Sequence, residues 1–149
     1  MVSKFADDFL RQGYVIFDIE NDTQLKYVQG KVLDALGSVI GDIDLEDLQS
    51  IHHRLTPEEV NQVRVKTYQM INSSEDFTEA YFRVFEKAVT EIVGSELACQ
   101  TKVNFSIQMP QDDTSLLALH TDTVGGQSKF EVVGWLPLTD AFDTNAMYV

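Results

Sequence analysis

Apolar residues recur at three- and four-residue steps through the earlier part of the chain and at two-residue steps through the rest, which predicts helices first and strands afterwards. Leu25, Val28, Val32, Leu36 and Ile40 form one stripe, predicting a helix from about Thr23 to about Val39. A small amphipathic helix over Lys4 to Arg11 precedes it. Between them Gly13 to Ile19, rich in β-branched and aromatic residues and closed by Asn21-Asp22, predicts a short strand. Thr56-Pro57-Glu58-Glu59 marks a further helix start. Thr56 suits the cap, Pro57 wastes no amide at the first helical position, and Glu59 completes a capping box. Val60, Val63, Met70 and Ile71 continue its apolar side, and Phe82, Phe85, Val89 and Ile92 predict a last helix that Gly94 stops.

Beyond Gly94 the period changes. Val103, Phe105, Ile107 and Met109 alternate with Lys102, Asn104, Ser106 and Gln108, predicting a strand with one apolar and one polar face. Pro110 to Asp113 break it, and Leu116 to Asp122 predict the next strand. Gly125-Gly126 turn the chain into Phe130 to Leu138, a largely apolar strand suited to burial on both faces. Met147-Tyr148-Val149 reads as another strand beginning. The pattern therefore predicts an α+β fold in a single domain over 1–149, mainly helical over 1–95 and strand-forming over 96–149. A domain seldom ends inside a strand, so the chain is expected to stop before its fold is complete.

Composition narrows the function. With 149 residues and 44% hydrophobic content the chain can build one real core. Its formal charge of −13 opposes nucleic-acid backbones and anionic membrane surfaces, so neither is an expected partner. Acidic residues such as Asp42, Asp44, Glu46 and Asp47 read as a solvated surface. The single cysteine, Cys99, forms no internal disulfide and, with no base beside it, reads as a small buried hydrophobe. The start lacks a signal-peptide pattern, and no apolar run approaches the roughly 20 residues of a membrane span. A soluble, cytoplasmic protein is expected.

The chemistry centres on His120-Thr121-Asp122. On a strand, residues two apart share a face, so the imidazole and the carboxylate can meet one ion. Iron(II) in oxygenases is commonly held by two histidines and one carboxylate on a triangular face, with positions left open for a co-substrate and dioxygen. The spacing alone is a weak signal in so acidic a chain, and taken by itself it favours a hydrogen-bonded pair on a polar sheet face over metal ligands. In the same way, Lys102, Asn104, Ser106 and Gln108 are either solvated surface or pocket lining, and Trp135 is either core or part of a cleft.

The context adds a resemblance. Gly13-Tyr14-Val15-Ile16, Asn104 to Pro110, Ser115 to Asp122 and Glu131-Val132-Val133-Gly134-Trp135-Leu136-Pro137-Leu138-Thr139-Asp140, in that order and spacing, resemble the phytanoyl-CoA-dioxygenase-like superfamily of iron(II)- and 2-oxoglutarate-dependent oxygenases. Its branch associated with carbohydrate biosynthesis clusters is the most similar. The resemblance spans essentially the whole chain. It implies helices packed on a partial double-stranded β-helix, a cupin-like jelly roll, with His120 and Asp122 as iron ligands and catalytic residues. Asn104, Gln108 and Trp135 then become candidates for the 2-oxoglutarate pocket, and a sugar, nucleotide-sugar or glycan precursor the implied small-molecule substrate. The family's distal histidine and its basic partner for 2-oxoglutarate have no counterpart before Val149, so this chain alone is expected to be inactive. His52 and His53 have no spacing relation to His120 that would make either a third ligand. Two alternatives compete: a non-catalytic jelly-roll binding module that has lost the full metal site, and, ranked last, a cupin-like metal protein of other chemistry. An incomplete sheet would also expose an edge through which copies of the chain self-associate.

Overall fold

The computed structural model describes residues 4–112 and 126–147. Five α-helices account for its regular structure among those residues: α1 (Lys4–Gln12), α2 (Asp22–Ile40), the single turn α3 (Leu45–Leu48), α4 (Pro57–Ile71) and α5 (Glu75–Val93). Short 3-10 turns lie at Ile51–His53 and Asp143–Asn145. α2 packs against both α4 and α5, and α1 against α5. The core between them holds Val28, Val32, Ala35 and Leu36 of α2, Val60, Val63 and Ile71 of α4, and Phe77, Ala80, Val84 and Phe85 of α5. Among the described residues, no helix is long and apolar enough to cross a membrane.

The helix ends follow from local chemistry. At α2 the Asn21 side chain accepts the Gln24 amide at 3.3 Å. At its other end Arg54 donates to the carbonyls of Ile40 (3.2 Å) and Asp42 (2.6 Å), placing a cation where the helix dipole is negative. Glu59 accepts both the backbone amide and the hydroxyl of Thr56, at 2.9 and 3.0 Å, and those two bonds hold its carboxyl below the ordinary range. Gly41 and Gly94, with φ of 85° and 93°, end α2 and α5 in a backbone region that other residues enter at a cost.

The α+β expectation is corrected here. The described residues contain no strand and no sheet, and so no jelly roll; the fold is helical. The segments read as strands are nevertheless extended and alternate in burial. Val15, Phe17 and Ile19 turn inward while Tyr14, Ile16 and Asp18 stay out. Val103, Phe105, Ile107 and Met109 turn inward while Asn104, Ser106 and Gln108 stay out. Val132, Gly134, Leu136 and Leu138 turn inward while Val133, Trp135 and Pro137 stay out. Alternation records which side chains a neighbouring layer buries. A strand also needs a backbone ladder, and that ladder leaves no trace in side-chain pattern. Here the neighbouring layer is helical.

Helix α5 carries all three segments, in order along its length. Thr78 Oγ1 donates to the Thr101 carbonyl at 3.1 Å, and Tyr81 donates its hydroxyl to the Gly134 carbonyl at 3.0 Å. Phe85 meets Phe17 edge-on with ring centres 6.2 Å apart, and Lys87 donates to the Glu20 carboxylate at 2.5 Å. Gly134 allows a close approach: a Cβ there would lie 3.2–3.3 Å from three atoms of the Phe85 ring, so a larger residue would require that ring to move by a few tenths of an ångström. The expectation that residues 130–138 bury both faces is corrected too. Val133 is 61% exposed and Trp135 44%, since only one side of the segment has helices beneath it.

Burial raises the Tyr81 phenol to about 12, partly offset by a backbone hydrogen bond at Leu136. An unfolded tyrosine ionises near 10, so the folded state favours the neutral phenol. The resulting stabilisation is complete below about pH 10 and disappears as pH rises through 12, amounting to roughly 3 kcal/mol. In an alkaline titration of the five tyrosines followed by tyrosinate absorbance, one is expected to ionise late, together with unfolding. Tyr81→Phe should remove that late step. A late step that persists in Tyr81→Phe would assign it elsewhere.

Candidate functional site

His120 and Asp122, the expected iron ligands and catalytic residues, lie outside the described residues. The structure instead places the residues expected around them. Asn104 and Gln108 sit on the outward side of the 103–109 segment with Ser106 between them, and Trp135 sits on the outward side of 131–138. The inward sides of both segments pack on the helical core through Val103, Phe105, Ile107, Met109, Leu136 and Leu138. All three candidate 2-oxoglutarate-pocket residues are therefore left free of the core, each on the outward side of its own segment. For Trp135 this decides between core and cleft in favour of an exposed ring. Pro110 and Gln111 turn the chain at the end of the first segment, Gln111 with a φ of 61°.

Two residues that the sequence pattern did not single out hold this layer in place. Asn72, following α4, pairs its side chain with both backbone groups of Val103. Tyr81 holds Gly134, next to Trp135. Nothing in periodicity marks either residue: an asparagine just after a helix reads as a local cap, and Tyr81 reads as one more aromatic on an apolar helix.

The remaining candidates supply no competing centre. Among the described residues, no group of three His, Cys, Asp or Glu side chains is arranged to hold a metal ion. His52 and His53, with ring centres 4.0 Å apart in the 3-10 turn after α3, belong to no such group. Cys99 is exposed, which corrects its reading as a buried hydrophobe. A cleft of about 220 Å³ opens between α1, the Phe17–Asn21 stretch and α5. Of its charged groups, Lys87 is paired with Glu20, and Arg83 with Glu79 and Glu86. Hydrogen bonding to Glu20 raises the Lys87 ammonium above its ordinary range, as bonding to Glu86 does for the Arg83 guanidinium.

No family model, curated protein or solved structure matches this chain.

Proposed function

We propose that this chain supplies part of an iron(II)- and 2-oxoglutarate-dependent oxygenase, with His120 and Asp122 as two of three protein ligands and Asn104, Gln108 and Trp135 beside the co-substrate. One observation carries the reading furthest: the polar face of residues 103–109 is kept out of the core, and so is Trp135. An imidazole and a carboxylate fit iron(II), a metal of intermediate softness that accepts mixed nitrogen and oxygen donors. Iron and 2-oxoglutarate, when bound, supply oxidative decarboxylation of the co-substrate coupled to hydroxylation of a substrate carbon. The chain's own side chains have simpler tasks. The Asn104 and Gln108 amides can each donate to a carboxylate, and the Trp135 ring can exclude water from one side of the site. The resemblance to the carbohydrate-cluster branch makes a sugar, nucleotide-sugar or glycan precursor the proposed substrate class.

An anaerobic titration of the purified chain with iron(II) and 2-oxoglutarate tests the reading. A visible charge-transfer band is expected that is lost in His120→Ala and in Asp122→Ala. No band from a chain shown to be folded would favour a non-catalytic binding module.

A further inference from the structure

We infer that Asn72 is a positioning residue: it takes the place of a neighbouring strand beside Val103 and so fixes which side chains of residues 103–109 face outward. Asn72 follows α4 directly and is 6% exposed. Its amide nitrogen donates to the Tyr68 carbonyl at 2.9 Å, which ties the side chain to its own helix, and to the Val103 carbonyl at 2.9 Å. Its amide oxygen accepts the Val103 backbone N–H at 2.7 Å. One residue thus satisfies both the donor and the acceptor of Val103, as a directly opposed residue does in an antiparallel ladder.

The neighbouring bonds add to this clamp. Lys102 donates its ammonium to the Asn72 carbonyl at 2.6 Å, and the Thr78 hydroxyl donates to the Thr101 carbonyl at 3.1 Å. Three consecutive residues, 101 to 103, are pinned to the loop after α4 and the first turn of α5. No backbone ladder fixes the segment that follows, among the described residues. Side chains of an extended segment alternate with period two, so a slip of one residue would carry Asn104, Ser106 and Gln108 onto the helices and turn Phe105 and Ile107 outward. The clamp sits immediately before the first of these residues, where it sets the parity for all of them.

The register part of this inference stands on geometry alone; its consequence for co-substrate binding rests on the oxygenase reading. Two measurements on the full chain keep them apart. In a Cys99→Ser background, a thiol introduced as Asn104→Cys is expected to react with a maleimide at least about tenfold faster than one introduced as Phe105→Cys. Adding Asn72→Ala should bring the two rates together while the far-UV helical signal remains. If Asn72→Ala costs the helices, Asn72→Asp serves instead. It keeps the acceptor for Val103 and loses both donors, and it should narrow the contrast. A contrast that Asn72 variants with intact helices leave unchanged would overturn the inference.

In the iron(II) and 2-oxoglutarate titration, Asn72→Ala is expected to weaken 2-oxoglutarate about tenfold while leaving iron(II) affinity alone. Equal 2-oxoglutarate affinity would remove Asn72 from the site. A labelling contrast in the cysteine variants together with no band from the wild-type chain would sink the oxygenase reading, and the labelling rates would still decide the register.

Discussion

Phe85→Ala is expected to destabilise the chain by about 3–5 kcal/mol, at the upper end for a core substitution, and to release two extended segments from the helices together. The ring is buried and lies edge-on to Phe17 at 6.2 Å, tilted against Tyr81 at 5.2 Å and beneath the backbone of Gly134. Its removal therefore does more than open a cavity in α5. It takes the floor from residues 14–19 and from residues 131–138 at once, and neither segment has a strand ladder to fall back on among the described residues. Urea unfolding followed by far-UV circular dichroism reads the loss of stability. The fluorescence of Trp135, the single tryptophan, reads the layer itself. Fluorescence is expected to change at lower urea than helicity in Phe85→Ala. A loss below about 1 kcal/mol, with both signals still coincident, would mean that the layer does not depend on this ring.

Leu36→Ala is expected to cost about 2–5 kcal/mol without separating the two signals. Leu36 is 1% exposed on α2, the helix that meets both α4 and α5, so the cavity would open at the centre of the helical unit. Helices and layer should then fail together. Leu10→Ala provides the contrast: that side chain is 80% exposed on α1, and its loss should stay within about 0.5 kcal/mol. Comparable effects at the two positions would contradict the placement of the core.

The helices were the most legible part of the sequence. The stripe from Leu25 to Ile40 located α2 to within a residue at each end, and Thr56-Pro57 located the start of α4. The apolar side of α5 was read with a rotation. Phe82 and Ile92 are only half-buried, whereas Phe77, Ala80, Val84 and Ala88 line the core. Alanines weigh little in a periodicity and yet occupy the closest helix contacts. On α4 the missing step of the stripe is Thr67, fully buried with no hydrogen-bond partner for its hydroxyl, while Met70 points outward.

In the extended segments, alternation correctly indicated which side of residues 103–109 is apolar and inward. It carried no information on whether the other surface is a helix or a strand. The expected sheet is absent among the described residues; at Val103 and Gly134 it is the side chains of Asn72 and Tyr81, on or just after helices, that meet backbone groups a sheet would have paired. The candidate site was legible only in part. Asn104, Gln108 and Trp135 were named from the resemblance and lie on the outward side, but the residues that hold them there were invisible in one dimension.

The most direct test of the proposed metal site at His120 and Asp122 is a nuclear magnetic resonance titration with manganese(II) and 2-oxoglutarate. Manganese(II) is a paramagnetic stand-in for iron(II) with similar oxygen and nitrogen donors. The result expected is selective broadening of the His120 ring, the Trp135 indole N–H and the side-chain amides of Asn104 and Gln108, all of it abolished by His120→Ala. Broadening confined to His52, His53 or the carboxylates from Asp42 to Asp47, with the Trp135 indole and both amides left sharp, would contradict the account.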